Sequence, residues 1–392
     1  MTDNTSKPIA PSGFRPNLRT IPNPNGGGGD IAEYRTPESS GVTGGFYVTD
    51  RGLPWHVTLA RRLNTPELMQ GVEGKLTSRE ALAAGGLDFR VLMLPLLVTL
   101  PDGRTVECPG KFAAVREDTG LVLGVGMSPS FKVYDNADAF AFADAIVGES
   151  GANWETAAPL AGGRQVFLSM ELPNSIHVAG DPSEYRLYLV ISNGHDGKHK
   201  LTASVTVERV VCRNTLRIAI GKARSTWAIR HTSSIAGRAL DARQSLGLSF
   251  AYAETFATTA DKLLNTTLAE RQVEDILLRA FPLTEAQQEA IEDAPDKREL
   301  VLAKSTFGAV RDVYYESPSI TPIRGTAYGV LNAVTEWTDH IKDYRPRKGG
   351  VMSAEDIRLD NLMNGGTASD AKQRAWDLLV KASDPKSKAT VK

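Results

Sequence analysis

The spacing of hydrophobic residues changes once along the chain, near residue 212. From residue 89 to about residue 212, apolar residues recur mostly at every second position, and beyond it they recur at helical spacing. The first pattern is typical of half-buried strands and the second of amphipathic helices. The sequence therefore predicts an α+β fold, with an antiparallel hairpin-rich sheet in the N-terminal half and a helical C-terminal half.

Three hairpins are predicted, over residues 89–116, 113–126 and 185–208. The third is the clearest, because Tyr185, Leu187 and Leu189 alternate with polar residues before the loop Asn193-Gly194-His195-Asp196-Gly197. A strand after Gly162-Gly163 and a helix over residues 137–146 complete this half. Each clear strand has one apolar and one polar face, so we expect a sheet that is covered on one side.

Helical periodicity dominates the rest of the chain, over residues 239–264, 267–281, 284–315, 327–343 and 371–381. Thr284 followed by Gln287 fits a capping box, and Pro295 is expected to break the third segment into two helices. Ser353 with Asp356 fits a capping box only loosely. The pattern predicts four regions: a disordered arm (1–45), a sheet-rich core (46–235), a helical region (236–345), and C-terminal helices with a flexible tail (346–392).

Composition excludes several classes of protein. The formal net charge of −1 excludes a chain that coats nucleic acid through bulk charge. Two cysteines exclude a disulfide scaffold and an internal four-cysteine zinc site. The longest apolar run spans ten residues, whereas a bilayer requires about 20, and the N-terminus lacks a signal pattern. We therefore expect a cytoplasmic protein without membrane contact and without a cofactor.

The common enzyme motifs are missing from the sequence, including a phosphate-binding loop, a dinucleotide fingerprint and a nucleophile elbow. One alternative stays open, since His195, Asp196 and His199 could ligate a divalent metal near Cys212. These residues lie in a predicted hairpin loop, whose Asn-Gly and Asp-Gly pairs are themselves strong turn formers.

Charge distribution is the most informative feature of the sequence. The window from Glu208 to Arg243 contains eight basic and two acidic residues, so its net charge is +6, and the net charge of the remaining chain is −7. If residues 213–224 are helical, Arg213, Arg217 and Arg224 fall within an arc of about 40°. The alternative is a solvated helix face whose arginines pair with carboxylates from the acidic remainder.

Guanidinium, ammonium, hydroxyl and aromatic groups are interleaved here, which suits phosphate contact and base stacking. The predicted nucleic-acid-binding residues are Lys198, Lys200, Arg209, Arg213, Arg217, Lys222, Arg224 and Arg230 for phosphates, and Trp227 and His231 for bases.

Several segments resemble a known family in their order and spacing. They include Arg51-Gly52-Leu53-Pro54-Trp55-His56, Phe131-Lys132-Val133-Tyr134, Asn193-Gly194-His195-Asp196-Gly197, Arg209-Val210-Val211-Cys212-Arg213-Asn214-Thr215-Leu216 and Ala327-Tyr328-Gly329. Over about residues 46–345 the chain resembles the phage- and plasmid-borne family built on the domain of unknown function 932. The resemblance implies a mobile-element origin and a place in DNA metabolism, and it supplies no catalytic residues.

The architecture also resembles, more weakly, single-strand annealing proteins of the Red-beta type, which form rings that hold DNA along a sheet and a helix. The leading hypothesis is an oligomeric protein that binds single-stranded DNA and acts in annealing or recombination. A metal-dependent enzyme acting on nucleic acid is the second hypothesis. A phage structural or host-interaction protein, with the basic segment as an oligomer interface, is the third.

Overall fold

The computed structural model describes three two-residue strands, at residues 20–21, 31–32 and 61–62, and most of residues 75–384. Within that span the gaps are 174–175, 177, 179–180, 182, 184, 210–213, 217–223, 230–234, 347 and 349–351. The predicted arm over residues 1–45 and the tail from residue 385 lie outside the described residues, apart from the first two strands. These strands, β1 (Thr20–Ile21) and β2 (Ile31–Ala32), pair with each other, and β3 (Arg61–Arg62) joins the large sheet.

A three-stranded antiparallel sheet follows helix α1 (Ser78–Gly85). Its strands are β4 (Val91–Thr99), β5 (Thr105–Arg116) and β6 (Val122–Met127). The turn between β4 and β5 places Gly103 at a φ of 85°, a backbone conformation that glycine adopts without steric cost. The first two predicted hairpins are confirmed, and they share β5 as their common strand.

The predicted helix over residues 137–146 is instead two helices, α2 (Asn136–Phe140) and α3 (Ala143–Ser150). Phe140 and Phe142 are both buried. Two residues that are two positions apart point about 200° apart on one helix, so a straight helix could not bury both rings against a single core. The chain turns between them, which the spacing of apolar residues does not reveal.

The large antiparallel sheet has seven strands. After β3 it is built from β7 (Asn153–Leu160), β8 (Gln165–Glu171), β9 (Tyr185–Gly194), β10 (Thr202–Arg209), β11 (Asn214–Leu216) and β12 (Thr226–Ala228). The order is β11-β10-β9-β8-β7-β3, and β12 also pairs with β10. The clearest predicted hairpin is confirmed as β9 and β10, in which Leu189 lies opposite Val205.

The expectation of a sheet covered on one side is wrong. Leu187, Leu189 and Val205 lie in the main core, as their apolar face requires. Their polar neighbours Tyr188 and Thr206 are buried as well, so both faces of the central strands are shielded from water. Alternation of apolar and polar residues predicted the strands correctly, but it could not distinguish a solvated face from a buried polar one.

The C-terminal half is helical, which confirms the predicted α+β division. Its helices are α4 (Ile235–Leu264), α5 (Glu270–Ala280), α6 (Glu285–Asp293), α7 (Arg298–Ala303), α8 (Thr306–Glu316), α9 (Ala327–Glu336), α10 (Ala354–Asn364) and α11 (Thr367–Ala382), with a π-helical turn (Trp337–Ile341) after α9. Among these and the other described helices, none combines the length and apolar composition that a membrane crossing requires.

Sheet and helices share one hydrophobic core, and α9 lies at its centre with every residue buried. Two buried ion pairs accompany it. Lys372 on α11 pairs with Asp339, and Arg209 on β10 pairs with Asp181 at 2.7 Å. Arg209 Nη1 also donates to the carbonyl of Ser319, and the Ser319 hydroxyl donates to the Glu336 carboxylate on α9. Hydrogen bonds therefore connect the sheet to the central helix.

Candidate nucleic-acid interface

Two short strands form the outer edge of the large sheet. Strand β10 pairs with β9 along one side, and along the other it pairs with β12 at residues 202–204 and with β11 at residues 207–209. Between them, the Val205 amide donates to the Ser225 carbonyl at 2.7 Å. Strand β11 ends at Leu216, and the described pairing with β10 resumes at Ser225. The basic window of the sequence, residues 208–243, includes both edge strands.

Three predicted cations are exposed at this edge. Lys198 and Lys200 lie on the loop that leads into β10, and Arg224 lies two residues before β12. The register places Ala228 of β12 opposite Thr202, so both strands begin or end beside the lysine-bearing loop. Among the described residues, no carboxylate forms an ion pair with any of the three. These three exposed side chains are the described candidates for contact with an anionic ligand.

The loop that carries Lys198 is held in place by one carboxylate. Asp196 accepts hydrogen bonds from the backbone amides of Lys198 and His199, at 2.9 and 3.0 Å, and contacts His199 Nδ1 at 2.9 Å. These bonds lower the pKa of Asp196 to about 2, although burial opposes them, and Asp196 in turn raises the pKa of His199. A Cβ at Gly194 would lie 2.4 Å from the His199 carbonyl oxygen, so the loop closes tightly only with glycine there.

His195 lies on the inner side of the same loop and is buried. Its Nε2 is 3.0 Å from Asn136 Oδ1, which also accepts from Asn193 Nδ2 at 3.1 Å. Because the same oxygen accepts both bonds, the proton of the neutral ring is assigned to Nε2. Burial lowers the pKa of His195 to about 4, so the ring is uncharged at neutral pH.

This arrangement does not join the three residues of the metal hypothesis. His195 is bonded to Asn136, while Asp196 and His199 are bonded to each other. Across the part of the chain that the structure describes, no group of three or more His, Cys, Asp and Glu side chains is placed to hold a metal ion. His195 instead fixes the loop to α2, and Asp196 orders the residues that carry the lysines.

Arg209 must be removed from the predicted phosphate contacts. Its side chain is buried, and both Nε and Nη2 donate to the Asp181 carboxylate, at 2.7 and 3.1 Å. The Arg209 charge holds the pKa of Asp181 below its usual value even though burial raises it. Arg209 lies on the core face of β10, where no phosphate can reach it without opening the fold.

Trp227 is only partly exposed, which limits its predicted role in base stacking. It lies opposite Ala203, on the face of the sheet that packs against the core. Its indole N–H donates to the hydroxyl of Ser245 on α4 at 3.4 Å. The ring therefore anchors the edge strand to the helical half, and part of its surface is left for contact with a ligand.

The other predicted residues, Arg213, Arg217, Lys222, Arg230 and His231, lie outside the described residues. The helix assumed for residues 213–224 is contradicted, because residues 214–216 form strand β11. In the sequence Arg213 and Arg217 directly flank this strand. The 40° helical arc therefore no longer applies to these arginines.

The polar face of the sheet contains a buried cluster that sequence reasoning missed. Glu208 lies opposite Arg186 in the β9–β10 register, and Arg186 Nε is 3.7 Å from the Glu171 carboxylate. Burial raises the pKa of Glu208 to about 8 and raises that of Tyr188 as well. Alternation had marked these positions as the solvent face. The signal that could have located the cluster is three ionisable residues on adjoining strands of one predicted face.

Hydroxyl groups continue this polar face toward the edge. Thr156 bonds Ser169 at 2.5 Å, Ser192 bonds Thr202 at 2.8 Å, and Ser204 bonds Thr226 on β12 at 3.1 Å. The last bond ties the edge strand to β10 through side chains in addition to the backbone ladder. Strand β12, at the edge that carries the exposed cations, is therefore held to β10 by both side-chain and backbone hydrogen bonds.

Comparison with known proteins concerns the same part of the chain. The family model described as a domain of unknown function (DUF932) matches residues 123–362, which is more than half of the 392 residues. No curated protein and no solved structure matches. The matched region contains β10, β11, β12 and the loop before them. It does not extend to residues 51–56, the first of the segments on which the resemblance was based.

Proposed function

This chain belongs to the DUF932 family, and we propose that it is a nucleic-acid-binding protein whose preferred ligand is single-stranded DNA. The family description assigns no activity, so the proposal is supported by the site. The observation that carries it is the presence of three exposed cations, Lys198, Lys200 and Arg224, at the sheet edge formed by β10 and β12, with no ion-pair partner among the described residues. Such groups contact phosphates and fix the position of a strand without reading its sequence.

Single strands are favoured over duplexes because aromatic groups accompany the cations. Trp227 is partly exposed at the edge, and His231 follows it in the sequence. Bases of a single strand can stack on such rings, whereas those of a duplex are already stacked on each other. The family resemblance implies a place in DNA metabolism, and the weaker architectural likeness to Red-beta-type annealing proteins adds annealing or recombination in the host cytoplasm as the narrower form of the proposal.

A binding titration tests this proposal directly. Labelled single-stranded DNA, duplex DNA and RNA are titrated with the full chain at 50 and 200 mM salt, and anisotropy is recorded. Three or more phosphate contacts should weaken single-strand binding by about tenfold or more over this range. We expect single-stranded DNA to bind most tightly. Absent or salt-insensitive binding would overturn the proposal and favour a structural or host-interaction role.

Charge reversal tests the position of the site. The triple variant Lys198→Glu, Lys200→Glu, Arg224→Glu should lower affinity at least tenfold, because each substitution replaces a phosphate contact with repulsion. A matched control reverses two lysines and one arginine that are exposed elsewhere, in Lys297→Glu, Lys304→Glu, Arg271→Glu. An equal loss of affinity in both variants would show that binding depends on the overall charge of the molecule, and it would reject the sheet edge as the binding site.

A double variant extends the charge-reversal test to two residues that the structure does not describe. Arg213→Glu with Arg217→Glu should weaken binding further, since both residues flank β11 in the sequence. Far-UV circular dichroism of each variant separates loss of binding from loss of fold.

A further inference from the structure

Helix α10 lies against the end of the large sheet where the lysine-bearing loop begins. Asp356, Asp360 and Asn364 are spaced four residues apart, so they share one side of this helix. Asp356 Oδ1 accepts from the Ala161 amide, just after β7, at 3.3 Å. Asn364 and Gln165, the first residue of β8, bond each other reciprocally, with Asn364 Nδ2 2.7 Å from Gln165 Oε1. This side of α10 therefore faces the sheet.

Asp360 brings a negative charge to the loop that carries Lys198. Its carboxylate accepts from Asn364 Nδ2 at 2.8 Å. The pKa of His199 is raised mainly by its bond to Asp196, and the charge of Asp360 raises it further. Asp360 therefore acts electrostatically on a residue next to Lys198. An anion that approaches this loop is repelled by a carboxylate of α10 as well as attracted by the lysines.

The charges of α10 are divided between two sides of the helix. It contains three acidic residues and one basic residue, so its net charge is −2. The basic residue, Arg358, lies about 200° around the helix from Asp356 and Asp360. It donates to the carbonyls of Asp339 and Lys342, at 2.8 and 3.2 Å. The side that faces the sheet is therefore the acidic one, and it carries charge of the same sign as a phosphate.

A row of polar groups leads from beneath α10 to the sheet edge that carries the exposed cations. Gln165 is buried, and its Nε2 also donates to the Ser192 hydroxyl at 3.2 Å. Ser192 bonds Thr202 of β10, which lies opposite Ala228 of β12. A nucleic acid that extends from this edge along the row would therefore reach the place that α10 occupies.

The attachment of α10 differs from that of the helix that follows it. Among the described residues α10 contributes no side chain to the hydrophobic core, whereas α11 contributes Trp376 and Leu379. The two helices are joined by Gly365 and Gly366, whose φ angles are 87° and 147°, in the region that favours glycine. A helix that is held by polar contacts and joined through glycines can open locally while the core stays folded.

We propose that α10 is an acidic strap, which covers one end of the nucleic-acid site and is displaced when a single strand binds. This inference rests on the proposed function and adds a regulatory step to it. In the docked state the strap bonds the Gln165 amide and holds Asp360 beside the loop. Movement about the two glycines removes that carboxylate and opens the sheet end. Water or the ligand can replace the hydrogen bonds that are lost, so displacement is not prohibitive.

Hydrogen exchange measures whether the strap opens. The full chain is exchanged without nucleic acid, and peptides that cover α10 and α11 are followed by mass spectrometry. The amides of α10 should exchange at least about tenfold faster than those of α11, because opening α10 exposes none of the described core side chains. Saturating single-stranded DNA should accelerate the exchange of α10 further and leave α11 unchanged. Equal protection of the two helices would overturn the proposal.

A release variant tests whether the strap opposes binding. Asp360→Asn with Asn364→Ala removes the charge beside the loop and the reciprocal amide bond. This variant should bind single-stranded DNA about threefold or more tightly than the wild type, and its faster exchange should be confined to α10. The matched control, Asp370→Asn with Asn265→Ala, removes the same two groups at exposed positions elsewhere. It should change neither affinity nor exchange, and an equal gain of affinity in the control would reject the strap.

The titration also separates this inference from the proposed function. Equal and measurable affinities of the wild type and the release variant would overturn the strap and leave the proposed function standing. Absence of DNA binding in both proteins would overturn the two together. A release variant that binds DNA more tightly than the wild type supports both. Far-UV circular dichroism confirms that each variant is folded.

Discussion

Glu208 shows how burial changes the protonation of a carboxyl group. It lies on β10 within the polar face of the large sheet and is completely buried. Removal from water favours the neutral carboxyl and raises its pKa to about 8, although the nearby Arg186 charge acts in the opposite direction. At neutral pH the folded state therefore retains a proton that the unfolded chain releases.

This proton predicts a pH dependence of stability. The folded-state pKa of Glu208 exceeds the unfolded value, so its contribution to stability is lost as pH rises from about 5 to 8. Relative to Glu208→Gln, the wild type should lose about 1 kcal/mol of unfolding free energy for each pH unit in this window. Urea unfolding at pH 5, 6.5 and 8 measures the difference. Glu289→Gln, at an exposed position, serves as control. A difference that stays constant with pH would contradict the assignment.

Residue identity alone could not have separated Arg209 from Lys198. Arg209 ends strand β10 and Lys198 lies on the loop that leads into it, and charge counting assigns both basic residues the same role. Arg209 follows Val205 and Val207 on the apolar face of β10, so strand alternation places it toward the core. That alternation was visible in the sequence. The carboxylate that makes such burial tolerable, Asp181, lies 28 residues away and becomes apparent only in the folded structure.

At the level of elements, two glycines within helices have opposite roles. A Cβ at Gly329, in the first turn of α9, would lie 2.4 Å from the Ile323 carbonyl oxygen. Nothing lies within 4 Å of a Cβ at Gly247, in the middle of α4. The first glycine permits a close approach between neighbouring elements, and the second only weakens its helix.

These surroundings predict opposite effects of one substitution. Gly329→Ala should lower the unfolding free energy by about 1–3 kcal/mol, because α9 must shift within a packed core. Gly247→Ala should raise it by up to about 1 kcal/mol, the usual preference for alanine in a helix. Urea unfolding of the two variants measures both changes, and each serves as the control for the other. Equal changes would show that packing around α9 does not determine the result.

Element boundaries were predictable where a local chemical signal marked them. Thr284 caps α6 through the predicted capping box, and the helix ends before Pro295 as expected. The remainder of that segment is two helices, α7 and α8, because Ser305 caps a new helix where the approach of Gly308 to the Leu302 carbonyl turns the chain. Helix α10 falls within the region predicted to hold C-terminal helices, but its span was not among the five predicted helical segments. Its capping box with Ser353 and Asp356 was visible in the sequence, but its apolar periodicity is weak.

Across the whole molecule, the pair of Arg209 and Asp181 joins the two halves of the fold. Asp181 also accepts hydrogen bonds from Ser183 and Tyr185, and Arg209 extends the contact to Ser319. The pair thus connects the sheet to the segment that leads into the central helix. Its location makes it a determinant of stability and separates it from the exposed cations of the edge.

This separation predicts the behaviour of an Arg209 variant. Arg209→Met should lower the unfolding free energy by about 3–5 kcal/mol, because the Asp181 carboxylate is left buried without its cation. Adding Asp181→Asn should recover part of the loss. Thermal unfolding measures both effects, and the anisotropy titration measures DNA affinity at a temperature where each variant is folded. A loss of affinity without a loss of stability would return Arg209 to the interface.

The sheet edge has a consequence for chain continuity. Strands β11 and β12 pair with the same strand, β10, yet they lie on either side of residue 220 in the sequence. If the chain were interrupted between them, the first polypeptide would keep β10 and the second would keep β12 and all the helices from α4 onward. The backbone ladder that pairs residues 202–204 with β12 would then join two separate molecules, while Trp227 would stay bonded to Ser245 within the second one. Reassembly of two such fragments would therefore have to restore both this edge strand and the hydrophobic core that the sheet shares with the helices.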